Sequence, residues 1–428
     1  MPSAKYVIVG ACAAGIGAVE AIREVDPVGT IAVISEEQCP HYSRPMISDY
    51  VSGKADLEKM KTRDDQFWEK NQVTALTGKK AVKLNPAEHT VALDEGETVA
   101  YEKLLIATGG KPFVPKMEGS DKDGVFTFTN VDDAERLAHK INEENAKSAV
   151  VIGAGLIGIS ITDALVKRGL KVTLVELQDK ILSLLLDAQA SDMVTEVIQK
   201  AGVDIVTGQS VQRIVGKPDN EDAVGGVVLT KGGQVSCDLV IVAIGVIPRI
   251  ELVVGTEVKT NRGIVVDNYM QTTVPDVYAS GDVAEAYDFV LNQNRLLPLW
   301  PLAMLEGKVA GYNMAGKKTD YTGGTNMSSL KYFGVPIVSI GIANPKDVSA
   351  LEILVKFDSE KGVYKKLVLQ DNNIVGITFL GEIERAGIFL YLMKNKVNVK
   401  RFKQALLADD FGLAALPASL RRRMSLEA

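Results

Sequence analysis

Two glycine-rich turns are the stretches of this chain whose residue types and spacing most directly suggest chemistry. The first turn contains Gly10, Cys12, Ala13, Ala14 and Gly15. The second turn contains Gly153, Gly155, Leu156, Ile157 and Gly158. Glycines at this spacing let the chain turn tightly, so that a pyrophosphate reaches the N–H groups at the start of the following helix. Each turn therefore predicts a dinucleotide site, although Cys12 fits the middle glycine position only if its φ is negative.

An acidic residue follows the second strand of each unit and is placed to bind a ribose. Glu36 takes this position after the first turn, with Ser35 as the neighbouring alternative. Glu176 takes it after the second turn. A carboxylate there favours NAD, because it repels the 2′-phosphate of NADP. Lys180 leaves NADPH open as the alternative.

The flanking segments predict the elements that position these turns. Apolar runs such as "KYVIVG" and "TIAVISEE" predict buried strands on either side of an amphipathic helix. The segments "YEKLLIATGGKP" and "CDLVIVAIGVIP" predict strands at which the chain returns between domains. In "VPDVYASGDVAEA", Gly281 and Asp282 are predicted to follow a strand and to open a helix, where the Asp282 carboxylate would accept hydrogen bonds from polyol hydroxyls. Taken singly, each of these segments also fits an ordinary strand end.

Composition excludes several classes of protein. Of 428 residues, 46% are hydrophobic and 24% are charged, and the net charge of −6 argues against general nucleic-acid binding. Cys12, Cys39 and Cys237 are too scattered for a disulfide scaffold, which fits a reducing cytoplasm. No metal site is predicted, because the three histidines do not cluster with other ligands, and no apolar run is long enough to span a membrane.

Over essentially its whole length the chain resembles the flavoproteins of the pyridine nucleotide-disulfide oxidoreductase superfamily. It is most similar to the cysteine-lacking NADH:rubredoxin and ferredoxin reductases, a group that includes FAD-NAD oxidoreductases associated with carbon monoxide dehydrogenase. The resemblance implies an α/β fold with two Rossmann-like dinucleotide-binding domains, FAD and NAD(H) as cofactors, and a homodimer formed through a C-terminal α+β interface domain. The implied domains are 1–112 and 243–324 for FAD, 113–242 for NAD(H) and 325–428 for the interface.

The resemblance also assigns site residues. FAD is expected to contact Gly10, Cys12, Ala13, Ala14, Gly15, Ser35, Glu36, Arg44, Pro45, Val82, Ala107, Thr108, Gly109, Gly281, Asp282, Leu302 and Ala303. NAD is expected to contact Gly153, Gly155, Leu156, Ile157, Gly158, Glu176 and Gly245. The segment "LLPLWPLAMLEGKVAGYNMAG" predicts an apolar helix whose N–H groups at Leu302 and Ala303 would face the flavin. Trp300 either shapes access to the flavin or packs beneath this helix.

The stretch "HYSRPMISDY" distinguishes subfamilies. Thiol-dependent relatives carry a redox cysteine near this turn, whereas this chain has Ser43, Arg44, Pro45 and Ser48 there. Arg44, Pro45, Ser48 and Trp300 are the residues expected to flank the reacting flavin. Cys39 precedes the turn, so a redox role for it stays open beside an inert one. Related reductases also pair a lysine with a glutamate, whose positions are here Asp49 and Ser160.

These features lead to three alternative functions. The first is an NADH oxidoreductase that exchanges electrons with a ferredoxin or rubredoxin, including one that serves a carbon monoxide dehydrogenase complex. The second is an NADH oxidase that produces hydrogen peroxide. The third is an NADH-responsive flavoprotein that acts as a regulatory binding protein. The C-terminal basic residues, from Lys394 to Arg423, form either a docking surface for an acidic carrier or a solvated face.

Overall fold

The computed structural model describes residues 3–38 and 41–427. The strands, numbered in chain order, are β1 Ser3–Val9, β2 Ile31–Ser35, β3 Val73–Thr77, β4 Ala81–Asn85, β5 Thr90–Leu93, β6 Thr98–Ile106, β7 Gly110–Pro112, β8 Val125–Thr127, β9 Ser148–Ile152, β10 Lys171–Val175, β11 Asp204–Val206, β12 Val211–Lys217, β13 Asn220–Leu229, β14 Gln234–Ser236, β15 Leu239–Val242, β16 Val246–Pro248, β17 Ile264–Val265, β18 Val277–Ala279, β19 Ala284–Asp288, β20 Gln293–Leu296, β21 Met327–Tyr332, β22 Val335–Gly341, β23 Glu352–Asp358, β24 Val363–Gln370 and β25 Asn373–Leu380.

The helices alternate with these strands in the first two thirds of the chain. They are α1 Ala13–Val25, α2 Ile47–Val51, α3 Leu57–Met60, α4 Phe67–Lys70, α5 Val131–Glu143, α6 Leu156–Lys167, α7 Ala188–Lys200, α8 Trp300–Met314, α9 Ala386–Lys394 and α10 Ala418–Glu427. No helix in residues 3–38 and 41–427 is long and apolar enough to cross a membrane.

Contacts divide the chain into two units, of which the first comprises residues 1–113, 129–135 and 246–324. Its main sheet has the order β3-β2-β1-β6-β5-β4, with β18 pairing with β6. The β3, β2, β1, β6 and β18 strands are parallel, as expected for buried apolar runs that alternate with helices. The two return segments meet in this unit, where β7 pairs antiparallel with β16.

Small residues let two helices of the first unit pack closely. A Cβ atom added at Gly307 of α8 would lie 2.0 Å from the backbone oxygen of Ala14 in α1. One added at Gly311 would lie 2.5 Å from the backbone oxygen of Ala18. Since van der Waals contact needs more room than this, larger side chains at either glycine would force the helices apart. The close packing brings α8 against the helix that follows the first glycine turn.

The second unit comprises residues 114–128, 136–245 and 325–428. It holds a parallel sheet of order β11-β10-β9-β15-β8 and an antiparallel sheet of order β21-β22-β25-β24-β23. A polar hairpin turn joins β24 to β25, and its residues Asp371 and Asn372 adopt φ values of 50° and 61°. Two successive positive φ values match the turn that two-residue hairpins prefer. The fold class expected from the sequence is therefore confirmed.

One predicted element is wrong. Gly281 and Asp282 do not open a helix, because residues 281–283 form a single 3-10 turn and the chain continues directly into β19. The β19 strand forms a hairpin with the following strand β20 and also pairs with β17. This strand pairing overrides the local helix-start pattern.

Candidate cofactor sites

The first glycine turn has the geometry that close approach by a phosphate requires. Gly10 adopts φ +117°, and a Cβ atom there would lie 2.0 Å from the backbone oxygen of Ala107. A Cβ atom at Gly15 would lie equally close to the oxygen of Gly10. Cys12 is the N-cap residue of α1 and has φ −85°, which confirms the condition under which a side chain is tolerated there. Larger residues at Gly10 or Gly15 would therefore close the turn.

Most of the apolar residues predicted to bind FAD lie together in the first unit. Ala13, Ala14 and Ala303 form a buried cluster, against which Cys12, Ala107, Trp300 and Met304 pack. Gly281 borders this cluster, because its added Cβ would lie 3.4 Å from the Cβ atoms of Ala14 and Ala303. Three segments that are distant in sequence thus converge on the start of α1.

Arg44 is fixed beside this cluster by several polar groups. Its guanidinium donates to the backbone oxygen of Thr129 at 2.7 Å and forms an ion pair with Glu37. Its side chain also lies within hydrogen-bonding range of Cys12. Burial alone would lower the pKa of Arg44, but Cys12, Tyr42 and Glu37 together hold it above its ordinary value. Arg44 is therefore a permanent, oriented positive charge beside the glycine turn.

Sequence reasoning missed the two residues that orient Arg44. Tyr42, 1% exposed, donates its O–H to Glu37 at 2.6 Å and accepts the N–H of Val131 at 2.9 Å. The Arg44 guanidinium also lies over the Tyr42 ring, 5.7 Å from its centroid. The sequence signal for this network was the position of Glu37 directly after Glu36, and that position did not identify Tyr42 or Arg44 as its partners.

Two acids, Asp282 and Glu306, also lie in the part of the first unit that contains Arg44. Burial raises the pKa of Asp282, while the positive charge of Arg44 opposes that rise. Gly281, the residue before it, donates its N–H to the carboxylate of Glu306 on α8 at 2.8 Å. Glu306 is 1% exposed and was not predicted from the sequence, because it lies within an otherwise apolar helix.

The two residues predicted at the adenosine end, Glu36 and Ser35, are each engaged by other groups of the protein. Glu36 follows β2 and forms an ion pair with Arg249, while Lys80 lies 3.6 Å from it. Burial alone would raise the pKa of Glu36, but Arg249 and Lys80 hold it below its ordinary value. The hydroxyl of Ser35 donates to the backbone oxygen of Glu37 at 3.1 Å, so it is used locally. Arg249 was missed by sequence reasoning.

Arg249 is held by the return segment that contains Thr108 and Gly109. Its backbone N–H donates to the oxygen of Gly109 at 2.9 Å, and its own oxygen accepts the Thr108 hydroxyl at 2.8 Å. This arrangement places Thr108, Gly109 and Arg249 beside Glu36 at the end of the parallel sheet. Open α/β sheets bind ligands at this edge.

The role predicted for Ala303 at the start of α8 is corrected by the structure. The Ala303 N–H donates to the oxygen of Leu299 at 2.9 Å, which closes the first turn of the helix. Pro301 has no N–H, so Trp300 and Leu302 carry the N–H groups that lack an acceptor within the helix. The predicted contribution of the Leu302 N–H is compatible with this geometry, whereas the Ala303 N–H is already used within the helix.

The other residues predicted at the FAD site are more dispersed. Pro45 is exposed in a 3-10 turn, and Ser48 is buried in α2. Val82 lies on β4 and is 47% exposed. Asp49, which takes the position of a lysine in related reductases, pairs with Lys54 at 3.1 Å. The local charge at Asp49 is therefore balanced within its own turn.

The second glycine turn, in the second unit, repeats the geometry of the first. Gly153 adopts φ +102°, and an added Cβ would lie 2.5 Å from the oxygen of Ala243. A Cβ atom at Gly158 would lie 1.8 Å from the oxygen of Gly153. Nothing lies within 4 Å of a Cβ atom added at Gly155, the N-cap residue of α6. Open space at this middle position is what a bound pyrophosphate requires.

Glu176 is oriented by the turn itself. Its carboxylate accepts the N–H of Ala154 at 2.6 Å and that of Gln178 at 2.8 Å. Leu156 and Ile157 form the first turn of α6, and Gly245 follows β15 with φ +123°. The predicted NAD residues thus gather at the carboxyl end of the second parallel sheet.

Both described cysteines carry free thiols. Cys237 is 5% exposed, and burial raises its pKa to about 12. Cys12 is half-buried in the glycine turn. Cys39, whose role was left open, lies outside the described residues. Within 3–38 and 41–427 no group of three potential metal ligands is found.

Unpartnered polar atoms around the first turn fit a large polar cofactor. Among the described residues, no hydrogen-bond partner is found for the hydroxyl of Ser280, the indole N–H of Trp300 or the Nε of Arg249, and all three atoms are buried. Buried polar atoms normally have partners, so these three are suited to a bound ligand. Together with the glycine turn and Asp282, they fit FAD.

Comparison with known proteins agrees with this geometry. Residues 4–307 match the pyridine nucleotide-disulphide oxidoreductase family, and residues 327–397 match the rubredoxin NAD+ reductase C-terminal domain. A solved structure titled as an NAD-dependent persulfide reductase from A. fulgidus is similar with a TM-score of 0.88 and 25% identity, covering 99% of this chain and 83% of that one.

Three relatives show the range of the group. The chain is 34% identical to the epsilon subunit of an NADH-dependent phenylglyoxylate dehydrogenase from Aromatoleum evansii, with 96% of each chain covered. It is 30% identical to an NADH oxidase from Methanocaldococcus jannaschii, covering 88% of this chain and 87% of the relative. It is 26% identical to an NADH-rubredoxin oxidoreductase from Clostridium acetobutylicum, covering 90% and 92%.

Two dinucleotide turns on parallel sheets, followed by an antiparallel C-terminal sheet, define a flavoprotein reductase. The chain belongs to the pyridine nucleotide-disulphide oxidoreductase family. It is an NADH-dependent flavin oxidoreductase with FAD and NAD(H) as its cofactors.

Proposed function

We propose that the enzyme passes electrons between NAD(H) and a small redox protein of the ferredoxin or rubredoxin type, through its FAD and without a redox-active cysteine. The observation that carries this proposal is the turn at residues 42–48. Where thiol-dependent relatives carry a cysteine, this turn has Arg44, which is held by Glu37 and the oxygen of Thr129 and lies within hydrogen-bonding range of Cys12. Residues 42–48 contain no cysteine that could act as a thiol relay, so the acceptor must reach the flavin directly.

The chain's own residues bind and orient the cofactors. The N–H groups that follow Gly10 and Gly153 would hold the pyrophosphates, and Asp282 would accept hydrogen bonds from the polyol of FAD. The N–H groups of Trp300 and Leu302, with the dipole of α8, would favour negative charge on the bound flavin. Bound FAD supplies the conversion between the two-electron chemistry of NAD(H) and the one-electron chemistry of an iron–sulfur carrier.

The C-terminal match supports a protein as the electron partner. Residues 327–397 resemble the C-terminal domain of rubredoxin NAD+ reductases, and the relative from C. acetobutylicum acts with rubredoxin by its name. The relative from A. evansii is named as a subunit of a larger dehydrogenase. By analogy, this chain could serve within a dehydrogenase assembly, such as a carbon monoxide dehydrogenase complex, with electrons flowing towards NAD+.

Domain boundaries, assembly and location belong to the same proposal. We assign residues 1–112 and 243–324 to the FAD domain, 113–242 to the NAD(H) domain and 325–428 to an interface domain. The interface domain would form a homodimer, and the enzyme would work in the cytoplasm. Size-exclusion chromatography with light scattering tests the dimer.

The acceptor is tested by following flavin reoxidation. The holoenzyme is reduced anaerobically with NADH, and ferredoxin, rubredoxin or air is then added in separate runs. Fast reoxidation by an iron–sulfur carrier, unchanged in Cys39→Ser, is the expected result. The matched control is Cys237→Ser, which removes a buried thiol whose pKa is raised by burial to about 12. Loss of transfer in Cys39→Ser alone would reject the cysteine-free route.

A second function, an NADH oxidase that produces hydrogen peroxide, is favoured by the 30% identity to the M. jannaschii oxidase. Without a thiol in the turn at 42–48, oxygen reduction would stop at peroxide. Reoxidation by air at a rate that exceeds that with either carrier, with one peroxide formed per NADH, would establish the oxidase instead.

A further inference from the structure

Glu306 is a buried carboxyl group that the proposed electron transfer does not use. It lies in α8 and is 1% exposed. One carboxylate oxygen accepts the Gly281 N–H at 2.8 Å, and the other lies 3.2 Å from the Tyr321 hydroxyl, which donates to it. All of these residues belong to the first unit, which carries the FAD residues.

The hydrogen bond to Gly281 fixes the turn that presents Asp282. Gly281 adopts φ +76°, a conformation that side-chain-bearing residues rarely adopt, and it sits against Ala14 and Ala303. The turn is a single 3-10 turn, so it has no helix behind it to hold its shape. The hydrogen bond that Gly281 donates to Glu306 of α8 supplies that support.

No cation balances Glu306. Within the described part of the chain it forms no ion pair, and the negative charge of Asp282 acts to raise its pKa. A buried carboxylate that has no counter-ion and has a second carboxylate as its neighbour is expected to stay neutral.

We propose that Glu306 is a positioning residue for FAD, which holds the Gly281–Asp282 turn in its binding shape while it is neutral and loosens the cofactor when it ionises. While Glu306 is neutral, Asp282 is the ionised member of this pair of acids, and its carboxylate accepts hydrogen bonds from the polyol hydroxyls. The second negative charge, when Glu306 loses its proton, repels both Asp282 and the anionic cofactor.

The direction of the pH effect follows from burial. Burial raises the pKa of Glu306 to about 8, with the Gly281 and Tyr321 hydrogen bonds opposing the rise and Asp282 adding to it. A raised acid pKa means that the stabilisation is complete at low pH and is lost as the pH rises through the folded-state value. FAD should therefore be held tightly at neutral pH and released faster in alkali.

Other charged groups near these elements are already paired. Asp282 faces Arg44, and Tyr321 faces Asp288, which has Arg295 at 3.6 Å. On the α1 side of α8, Lys308 lies 3.5 Å from Glu20, and Tyr312 donates to Glu24. These pairs lie on the partly exposed side of the two helices, so none of them supplies a cation to Glu306.

The test measures FAD release from the holoprotein by the gain of free-flavin fluorescence, from about pH 6.5 to about pH 9.5, without NADH or acceptor. The wild-type release rate should rise by about tenfold, which corresponds to a coupling of about one pKa unit. Glu306→Gln keeps the acceptor for Gly281 and cannot ionise, so its release rate should stay flat. Tyr321→Phe removes a bond that favours the ionised form and should move the midpoint to higher pH.

Glu285→Gln is the matched control. Glu285 is 5% exposed and accepts the N–H groups of Arg262 and Gly263, so it is a buried glutamate of the same unit that is bonded to a different loop. It should keep the wild-type pH profile. A flat wild-type profile, or a profile in Glu306→Gln that rises like the wild type, would overturn the proposal.

If Glu306→Gln fails to fold, the midpoint in Tyr321→Phe decides: a shift to higher pH supports the proposal and no shift overturns it. Because no electron acceptor is used, the result is independent of whether the enzyme serves a carrier protein or oxygen.

Discussion

Tyr42 donates its hydroxyl to the carboxylate of Glu37 at 2.6 Å, and this bond joins the turn at residues 42–48 to the end of β2. The same carboxylate pairs with Arg44. Because both partners of Glu37 are buried or half-buried, the three side chains act as one unit that fixes the cation beside the glycine turn. The absence of a thiol in the turn is thus matched by a complete polar network.

Tyr42→Phe should destabilise the protein through this network. The substitution removes one hydrogen bond to Glu37 and leaves the buried N–H of Val131 without its acceptor. Leaving a buried group unpaired costs about 1–3 kcal/mol of unfolding free energy, measured by urea unfolding of the holoprotein. FAD release should also accelerate, because Arg44 loses the group that orients Glu37.

Tyr101→Phe is the control for this experiment. Tyr101 is 5% exposed, and no partner for its hydroxyl is found within the described chain. Its removal should leave the unfolding free energy within about 0.5 kcal/mol or raise it. Equal losses in the two variants would show that the network around Glu37 adds no stability.

The local parts of the fold and site could be predicted from the sequence. The two glycine turns, the strands beside them and the turn at Asp371 and Asn372 follow from short patterns with a direct steric cause. The negative φ of Cys12 follows from the same reasoning.

The contacts that the sequence did not reveal join distant residues. Arg249 and Glu36 are separated by 213 positions, and no local pattern pairs them. The β19 strand follows Gly281 because it pairs with the earlier strand β17 and with β20 in a hairpin, and this pairing replaces the expected helix. The predicted role of the Ala303 N–H was wrong because the residue whose N–H makes the first helical hydrogen bond depends on where α8 begins, and sequence patterns locate helix ends poorly.

Glu176→Ser should weaken NADH binding and reduce discrimination against NADPH. It removes the carboxylate that accepts two backbone N–H groups and that repels a 2′-phosphate. Losing a charged hydrogen bond to the ribose should raise the KM for NADH by about tenfold or more. Steady-state kinetics with both nucleotides, using any acceptor, gives the kcat/KM ratio.

Asp179→Asn is the control for that change. Asp179 is exposed, lies three residues after Glu176 and pairs with Lys180 at 3.2 Å. Its substitution should leave the NADH to NADPH ratio within about twofold, since exposed pairs contribute little. An unchanged ratio in Glu176→Ser would remove Glu176 from nucleotide selection.

Cys237 should resist alkylation in the native holoprotein. With its pKa raised to about 12 by burial, only roughly one part in ten thousand is thiolate at about pH 8. Iodoacetamide labelling followed by mass spectrometry should therefore modify Cys237 only after unfolding in urea. Rapid native labelling would show that the thiol is accessible and would make Cys237→Ser unsuitable as the control for Cys39→Ser.

Lys366→Met should destabilise the second unit and flatten the acid limb of its stability profile. Lys366 is 5% exposed and lies 2.9 Å from Asp187, the N-cap residue of α7, which also accepts the Tyr364 hydroxyl. Burial alone would raise the pKa of Asp187, but Lys366 and Tyr364 hold it below its ordinary value. A lowered acid pKa stabilises the fold above the unfolded value and is lost as the pH falls through the folded one.

Wild type should therefore lose stability below about pH 4 more steeply than Lys366→Met, whose unfolding free energy at neutral pH should be lower by about 2 kcal/mol or more. Lys365→Met is the control, because Lys365 pairs at 2.7 Å with Glu382, a half-exposed partner. Losing this pair should cost under about 1 kcal/mol. Urea unfolding at a series of pH values measures both. Parallel acid limbs in wild type and Lys366→Met would mean that the Lys366–Asp187 pair does not set the acid stability. The N-cap hydrogen bond that the Ala190 N–H donates to Asp187 at 3.1 Å would then account for the lowered pKa of Asp187.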